Sequence, residues 1–449
     1  GQTSSTYAQK NYKVELKKGK GTWRQQRAIA LNKHMGEGMR FRNKMAYDLI
    51  RGIPQMMGLR TQFVHLWVCD QTEKSNDTFE DYGLFTQVEQ LNKTALKAHG
   101  LDKNGHLYKV NSFDFHRSED TIKLADDPGY NQAAFEGMLE IKGDSDHTKL
   151  IEMLDSLNDD SQKIDDVLAT YFDTENLVYW MAFQILTGNC DTQNRNCYLY
   201  SPLNSNTWYI LDWDNDGMLR KLELSLTGFS DYASWERGVG NYWGNVLFNR
   251  ALRSKSFRNE LDDAVKDLRS YLTEERLGKM IKHYREVTEP LVFAAPDLEN
   301  LPVTKDEYEQ IAAAIPSEIE ENYQSFRESY KKPMPFFIGM PQIDNGKLRV
   351  NWDASYDFKA RDIRYTVELA RDYAITDVIF KAEDVLLPEV TCDAPDAGQY
   401  FVRVRATNSD GYTQDAFDYY VTDDGKQYGM LCFYVQDGGK VVGDTYEEG

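Results

Sequence analysis

Gly188-Asn-Cys-Asp-Thr-Gln-Asn-Arg-Asn-Cys-Tyr-Leu-Tyr200 and, a short turn later, Trp208-Tyr-Ile-Leu-Asp-Trp-Asp-Asn-Asp-Gly217 decide how this chain is read. Asp173 is placed to cap a helix that runs to Gly188, a residue type that ends helices readily. Asp191 then falls in a loop, with Asn196 five residues on. Cys197–Tyr200 and Trp208–Leu211 read as two strands joined by the polar turn Ser201–Thr207, which returns the chain to Asp212, Asp214 and Asp216. Carboxylates this close raise one another's pKa unless a cation balances them, so a bound divalent metal is their natural state.

That order of elements suits phosphoryl transfer. One carboxylate accepts the proton of an acceptor hydroxyl, an amide five residues later reaches a metal, and a hairpin returns a second carboxylate to the nucleotide phosphates. The Asp191-to-Asn196 spacing equals that of the protein-kinase pattern H-R-D-x-x-x-x-N, and the hairpin-borne aspartate follows the logic of D-F-G. A rival reading overlaps it. Asp212, Asp214, Asp216, Gly217 and Glu223 fit the calcium-loop pattern D-x-[DN]-x-[DN]-G-x5-E, with Leu219 at the apolar position. The strand reading of Trp208–Leu211 argues against it, because that loop needs an entering helix. A solvated acidic turn is the plainest alternative.

Outward from this stretch, 449 residues exceed one ordinary core, so a large domain and a smaller module are expected. With 41% hydrophobic and 28% charged residues the chain is globular, and no apolar run approaches the ~18 residues that span a bilayer. It opens at Gly1 without a secretory leader, as a mature or trimmed chain would. The net charge of −20 disfavours nucleic acid and anionic lipid as partners. Five cysteines without a CxxC and seven scattered histidines without HExxH point away from a disulfide framework and from zinc.

Residues 1 to about 125 mix strand-like runs (Tyr12–Leu16, Phe63–Val68) with a helical run, Phe41 to Ile50. From about 145 to 330 the period is mainly helical, as in Leu261, Ala264, Val265 and Leu268. After about Pro335 it becomes alternating: Leu348, Val350, Trp352; Ile363, Tyr365, Val367, Leu369; Tyr400, Val402, Val404, Ala406. This is the pattern of an antiparallel sandwich. The run Tyr400 to Gly411 resembles the penultimate strand of fibronectin type III modules, and Trp352 stands where they place an early core tryptophan. The tail after about 423 reads as one more strand pair with a frayed acidic end, Asp444, Glu447 and Glu448.

Five ordered motifs resemble the spore-coat protein H (CotH) kinase family, over nearly 330 residues. They are Gly1-Gln-Thr-Ser-Ser5 with Lys10-Asn-Tyr12-Lys-Val-Glu-Leu16; Arg42-Asn-Lys-Met-Ala-Tyr-Asp-Leu49; Tyr82-Gly-Leu-Phe-Thr-Gln-Val-Glu89; Gly105-His-Leu-Tyr-Lys109; and the 188–217 stretch. The resemblance implies an α+β, reduced protein-kinase-like domain over 1–333. A fibronectin III-like (immunoglobulin-type) all-β sandwich over 334–422 and a strand-pair tail over 423–449 would follow. It implies a Mg-ATP-dependent atypical kinase, secreted or spore-associated, in which Asp191 is the catalytic-loop carboxylate and Asn196 its metal-binding companion. Asp214 would be the principal magnesium ligand, with Asp216 nearby. Gly1, Thr3, Ser4 and Ser5 would lie over the phosphates, Lys10 (or Lys13) would neutralise them, and Glu89 would orient Lys10 or bind metal.

Two departures stand out. Asp212 replaces the family's proline or small residue, and the family's arginine before Gly1 is missing. Arg42 is expected to pair with a carboxylate. Tyr198, Tyr200, Trp180 and Met181 are expected in the core, and His34 and His65 as ordinary residues. The leading expectation is therefore a phosphotransferase using ATP with Mg2+ or Mn2+ on a hydroxyl, chiefly Ser or Thr of a secreted, cell-surface or spore-coat protein. The rivals are a non-catalytic extracellular adhesion scaffold and a glycan-binding protein stabilised by Ca2+ at Asp212–Glu223.

Overall fold

The computed structural model describes residues 7–72, 77–228, 232–423 and 425–444. It divides into two compact units, residues 1–230 with 245–322 and residues 231–244 with 323–449. Among the described residues no helix is long and apolar enough to cross a membrane.

The first unit opens with β1 (Tyr12–Glu15), β2 (Ala28–Asn32), α1 (Arg42–Ile50), β3 (Thr61–Val68) and β4 (Glu80–Glu89). The strands form an antiparallel sheet in the order β1-β2-β4-β3. After α2 (Lys93–Ala98) come β5 (His106–Val110), α3 (Gln132–Met138), β6 (Leu139–Ile141), α4 (Thr148–Asn158), α5 (Ile164–Tyr171) and α6 (Thr174–Thr187). The hairpin β7 (Cys197–Ser201) and β8 (Tyr209–Asp212) completes a second sheet, β6-β5-β7-β8. Helices α7 (Lys221–Leu226), α8 (Val246–Arg253), α9 (Lys255–Tyr271), α10 (Glu274–Val292) and α11 (Lys305–Ser329) follow. The helical period read from Leu261 to Leu268 is the buried face of α9.

Helix α6 is buried on nearly every face, as a helix apolar all round must be. The Asp173 side chain accepts from the Asn176 N–H at its start, and Gly188 ends it in the left-handed conformation (φ 65°), which glycine adopts without a steric penalty. Its first turn is tied to β8, where Asn176 Oδ1 accepts from Ile210 N at 2.8 Å and Asn176 Nδ2 donates to Ile210 O at 3.1 Å. Register does the rest. Cys197 lies opposite Asp212 in the hairpin, so the loop before β7 and the acidic loop after β8 leave the sheet at the same end.

The second unit is all-β after α11: β9 (Gln342–Asp344), β10 (Lys347–Asn351), β11 (Ile363–Ala370), β12 (Val378–Val385), β13 (Glu389–Asp393), β14 (Gly398–Asn408), β15 (Thr413–Asp415), β16 (Tyr419–Thr422), β17 (Gly425–Tyr428), β18 (Met430–Val435) and β19 (Val441–Gly443). A three-stranded sheet (β13-β10-β9) and a larger one (β12-β11-β14-β18-β19) bury the alternating residues Leu348, Val350, Val367, Val402 and Val404 against each other. Trp352 meets Tyr365 edge-on at 5.2 Å in that core. Strand β18 pairs with both β14 and β19, so the chain after 423 contributes an interior strand of the larger sheet. The arrangement is that of an antiparallel sandwich, compatible with a fibronectin-like module.

Candidate active site

Asp191 and Asn196 meet in the loop after α6. The Asn196 amide donates to Asp191 O at 2.9 Å and to Asp191 Oδ2 at 3.1 Å, and Arg195 Nε lies 3.6 Å from Asp191 Oδ1. Asn196 is left-handed (φ 57°), a conformation that asparagine tolerates better than most residues. The loop backbone is held from outside, with Asn194 O accepting from Phe113 N at 2.8 Å and Gln193 O from Asn245 Nδ2 at 2.8 Å.

Across the end of the hairpin, Asp214 also adopts φ 59°. Helix α1 supports it with two residues one turn apart: Asp214 N donates to Tyr47 OH at 3.2 Å, and Asn215 N to Asn43 Oδ1 at 3.1 Å. Burial, then the charge of Asp216 and, further off, that of Asp191, push the Asp214 carboxyl up to about 7, against the opposing charges of His34 and Lys109. Asp191, Asp214 and Asp216 thus share one electrostatic site. Asp216 itself is held below the usual carboxylate range. Burial opposes its ionisation, but the hydrogen bond and charge of His34, 3.6 Å away, outweigh it with help from Arg220 and Arg42.

Asp212 behaves differently from the two aspartates that follow it. It is 1% exposed, with Oδ1 accepting from Gln184 Nε2 at 2.5 Å and Oδ2 from the Asn215 amide. Burial pushes it up to about 7 despite those bonds. Gly217 lies close beside this network, where a Cβ would come within 2.6 Å of Asn189 Oδ1 and force that side chain to shift.

The calcium loop is not formed. Glu223, its closing ligand, lies in α7 with no exposed side-chain surface, 2.5 Å from Arg42 Nη1 and 2.9 Å from Arg220 Nη2, and accepts from Gly38 N at 3.1 Å. Arg42 also reaches Glu37 at 3.1 Å, the carboxylate pairing expected of it. With Asp212 and Glu223 both committed, that pattern lacks its first and last ligands.

Among the described residues no group of three or more His, Cys, Asp and Glu is arranged to hold a metal ion. What the acidic end of the hairpin offers is two or three carboxylate oxygens and an amide, with an Asp214 carboxyl whose ionisation lacks a full counter-charge. Oxygen donors of this kind suit a hard divalent cation that keeps waters and takes substrate oxygens, and they do not make a closed all-protein cage.

Of the other expected site residues, Gly1, Thr3, Ser4 and Ser5 lie outside the described residues. Lys10 is exposed and donates to Tyr7 O at 2.5 Å. Glu89 is engaged by Arg60 and His99 rather than by Lys10. Its Oε2 accepts from Arg60 N at 3.0 Å and meets His99 Nε2 at 2.8 Å, while Oε1 accepts from Arg60 Nε at 2.9 Å. Burial opposes ionisation there, but these bonds hold Glu89 at about 2. It borders a cavity of about 250 Å³ lined also by Glu15, Arg27, Gln90 and Asn92. Tyr198, Tyr200, Trp180 and Met181 are all core residues.

Sequence reasoning missed His34 and gave no role to Lys109, Asn43 or Tyr47. The last three stand inside quoted motifs, and the i, i+4 spacing of Asn43 and Tyr47 marks one polar face of α1. His34 carried no local signal, since its partner Asp216 is 182 residues away in the chain.

A family model described as CotH kinase protein matches residues 1–326. No curated protein matches. Among solved structures, the twitchin kinase region of C. elegans is similar at 18% identity and TM-score 0.17, covering 21% of this chain and 20% of that one. The Shewanella oneidensis HipA–HipB–operator DNA complex is similar at 10% identity and TM-score 0.27, covering 71% and 64%. The chain therefore spans less than two thirds of either structure's length. A kinase-like family of this description implies ATP, a divalent metal and a hydroxyl-bearing substrate, and it is linked to the spore coat. With residues 1–326 matched, most of its length, this chain belongs to the CotH kinase family.

Proposed function

We propose that the protein transfers the γ-phosphoryl group of ATP, with Mg2+ or Mn2+, to a Ser or Thr hydroxyl of a secreted, surface or spore-coat protein. One observation carries the reading: a solvent-facing Asp191, oriented by the Asn196 amide, acts electrostatically on the half-buried Asp214, which lies beside Asp216. Asp191 takes the acceptor's proton as the hydroxyl oxygen bonds to the γ-phosphorus. The bond from that phosphorus to the bridging oxygen breaks, ADP departs with the electron pair, and Asp191 gives its proton to solvent. Asp214, Asp216 and Asn196 are the residues that would hold the metal. Bound there, it would supply charge neutralisation of the phosphate oxygens. Lys10 and the 1–5 segment are assigned to the inner phosphates. The all-β unit is assigned to presentation at a surface, and the net charge of −20 argues against nucleic acid.

The test is labelling by radioactive ATP with magnesium or manganese, followed by identification of the labelled residue. Asp191→Ala is expected to reduce labelling about 10²–10⁴-fold, the scale of a lost general base, with an unchanged melting temperature. Undiminished labelling in that variant would end the proposal and favour a non-catalytic scaffold.

A further inference from the structure

Lys109 points to a second cation in this site. It lies on β5, half-buried, opposite Tyr198 of β7 and Glu140 of β6. Its Nζ is 5.8 Å from the centroid of the Trp213 ring, one residue before Asp214. Glu140, its neighbour across the sheet, pairs with Lys142. Three other buried or partly buried lysines of this unit are committed: Lys33 to Asp297, Lys44 to Asp48, and Lys149 to Ser201, Pro202 and Ser205. Among the described residues Lys109 has neither a hydrogen bond nor an ion pair, yet its charge is felt at Asp214. His34, the other cation that acts on Asp214, is taken by Asp216. Between Asp191 and Asn196 the loop supplies only Arg195 as a cation, and Arg195 faces Asp191.

A strand fixes where a side chain leaves the backbone, and from β5 the Lys109 ammonium reaches the neighbourhood of the Trp213 ring. An unpaired ammonium held beside a carboxylate cluster has most to gain from an anion brought there with a metal. In an acidic protein such a cation is scarce. We propose that Lys109 contacts the terminal phosphoryl group of ATP, the group that moves, and so distinguishes ATP from ADP. This rests on the phosphotransferase reading of the same site.

Calorimetric titration with Mg-ATP and with Mg-ADP tests it on the full chain, for the wild type, Lys109→Met and Lys109→Arg. Lys109→Met is expected to weaken ATP about 10–100-fold and ADP less than about threefold, the scale of one hydrogen bond between charged groups. Lys109→Arg keeps the charge and should retain most of the ATP preference. The ratio of the two affinities is unaffected by any fraction that fails to fold, so a destabilised variant still answers the question. Equal weakening of both nucleotides, or no weakening, overturns the assignment of Lys109 alone, provided the wild type binds Mg-ATP and labels its acceptor. A wild-type protein that binds neither nucleotide overturns the phosphotransferase reading and this inference together.

Discussion

Two carboxylate clusters are packed against helix α1, and they are balanced in opposite ways. Glu37 and Glu223 are enclosed with Arg42 and Arg220, two acids with two guanidinium groups, all but Arg220 essentially without exposed surface. Asp191, Asp214 and Asp216 gather at the end of the β7–β8 hairpin with His34, Lys109 and Arg195 at longer range. In the first cluster burial raises Glu37, but Glu223, which bonds both Arg42 and Arg220, is lowered against the burial that opposes its ionisation. In the second, burial and like charge leave Asp214 raised to about 7. A cluster that supplies its own counter-charges is a fastener, whereas one that leaves charge uncompensated is completed by something that arrives.

The largest expected effect breaks the second cluster. Asp214→Asn should lower phosphotransfer by about 10²-fold or more, as removal of one preorganised charge-stabilising group does. It should not lower stability. A raised carboxyl contributes stability below its unfolded pKa and loses it as pH climbs through the folded value, here from the ordinary aspartate value near 3.8 to about 7. Metal-free Asp214→Asn should therefore gain in melting temperature relative to the wild type across that interval and hold the gain above it. A variant that melts lower at pH 8 would place Asp214 among the fasteners.

Next comes the balanced cluster. Arg42→Met strands two buried acids beside Arg220 and should cost about 3–5 kcal/mol in urea unfolding, the scale of breaking a buried ion pair from one side. Adding Glu223→Met should recover much of the loss, since apolar replacement of a whole buried pair is often neutral. Recovery in the double variant with activity still absent would mean that the fastener also positions the acidic loop, through the 3.1 Å bond from Arg42 Nε to Leu219 O.

How far the sequence reveals this contrast depends on how local each cause is. The helix ending at Gly188, the hairpin and the sandwich strands rest on caps, a left-handed glycine and period-two alternation, all contained within a few residues. The nearness of Asp191 to Asn196 is likewise a matter of five residues. The calcium-loop pattern at Asp212 misleads for a physical reason. A D-x-D-x-D pattern looks like a ligand row, but the β8 register places its first member opposite buried Cys197, where Gln184 and Asn215 use both oxygens. Glu223 looks like a closing ligand because its spacing is right, while its partner Arg42 stands 181 residues away. Whether a carboxylate is balanced depends on packing across the chain, and no spacing rule reports that.

Glu89 sharpens the comparison at a somewhat smaller scale. It is nearly unexposed and held at about 2 by His99 and Arg60 against the penalty of burial. A lowered carboxyl contributes stability above its unfolded pKa, near 4.5, and loses it as pH falls toward the folded value. Glu89→Gln should therefore cost about 3 kcal/mol at pH 7 and little near pH 2, an order-of-magnitude figure from the shift. Stability that differs equally at both pH values would show that Glu89 acts through shape rather than charge.

The smallest effect concerns a carboxylate satisfied by backbone alone. Asp173 accepts from Asn176 N at 2.9 Å and starts the helix whose far end releases the Asp191 loop. Asp173→Ala should cost about 1 kcal/mol, the usual loss of a helix cap, and Asp173→Asn appreciably less. Because α6 is buried along its length and tied to β8 through Asn176, packing should hold its far end in register after the cap is gone. Labelling by ATP should then be unchanged while the urea midpoint falls. If labelling falls with the midpoint intact, the cap reaches the Asp191 loop through the helix, and the line between fastening and catalytic carboxylates must be drawn at Asp173.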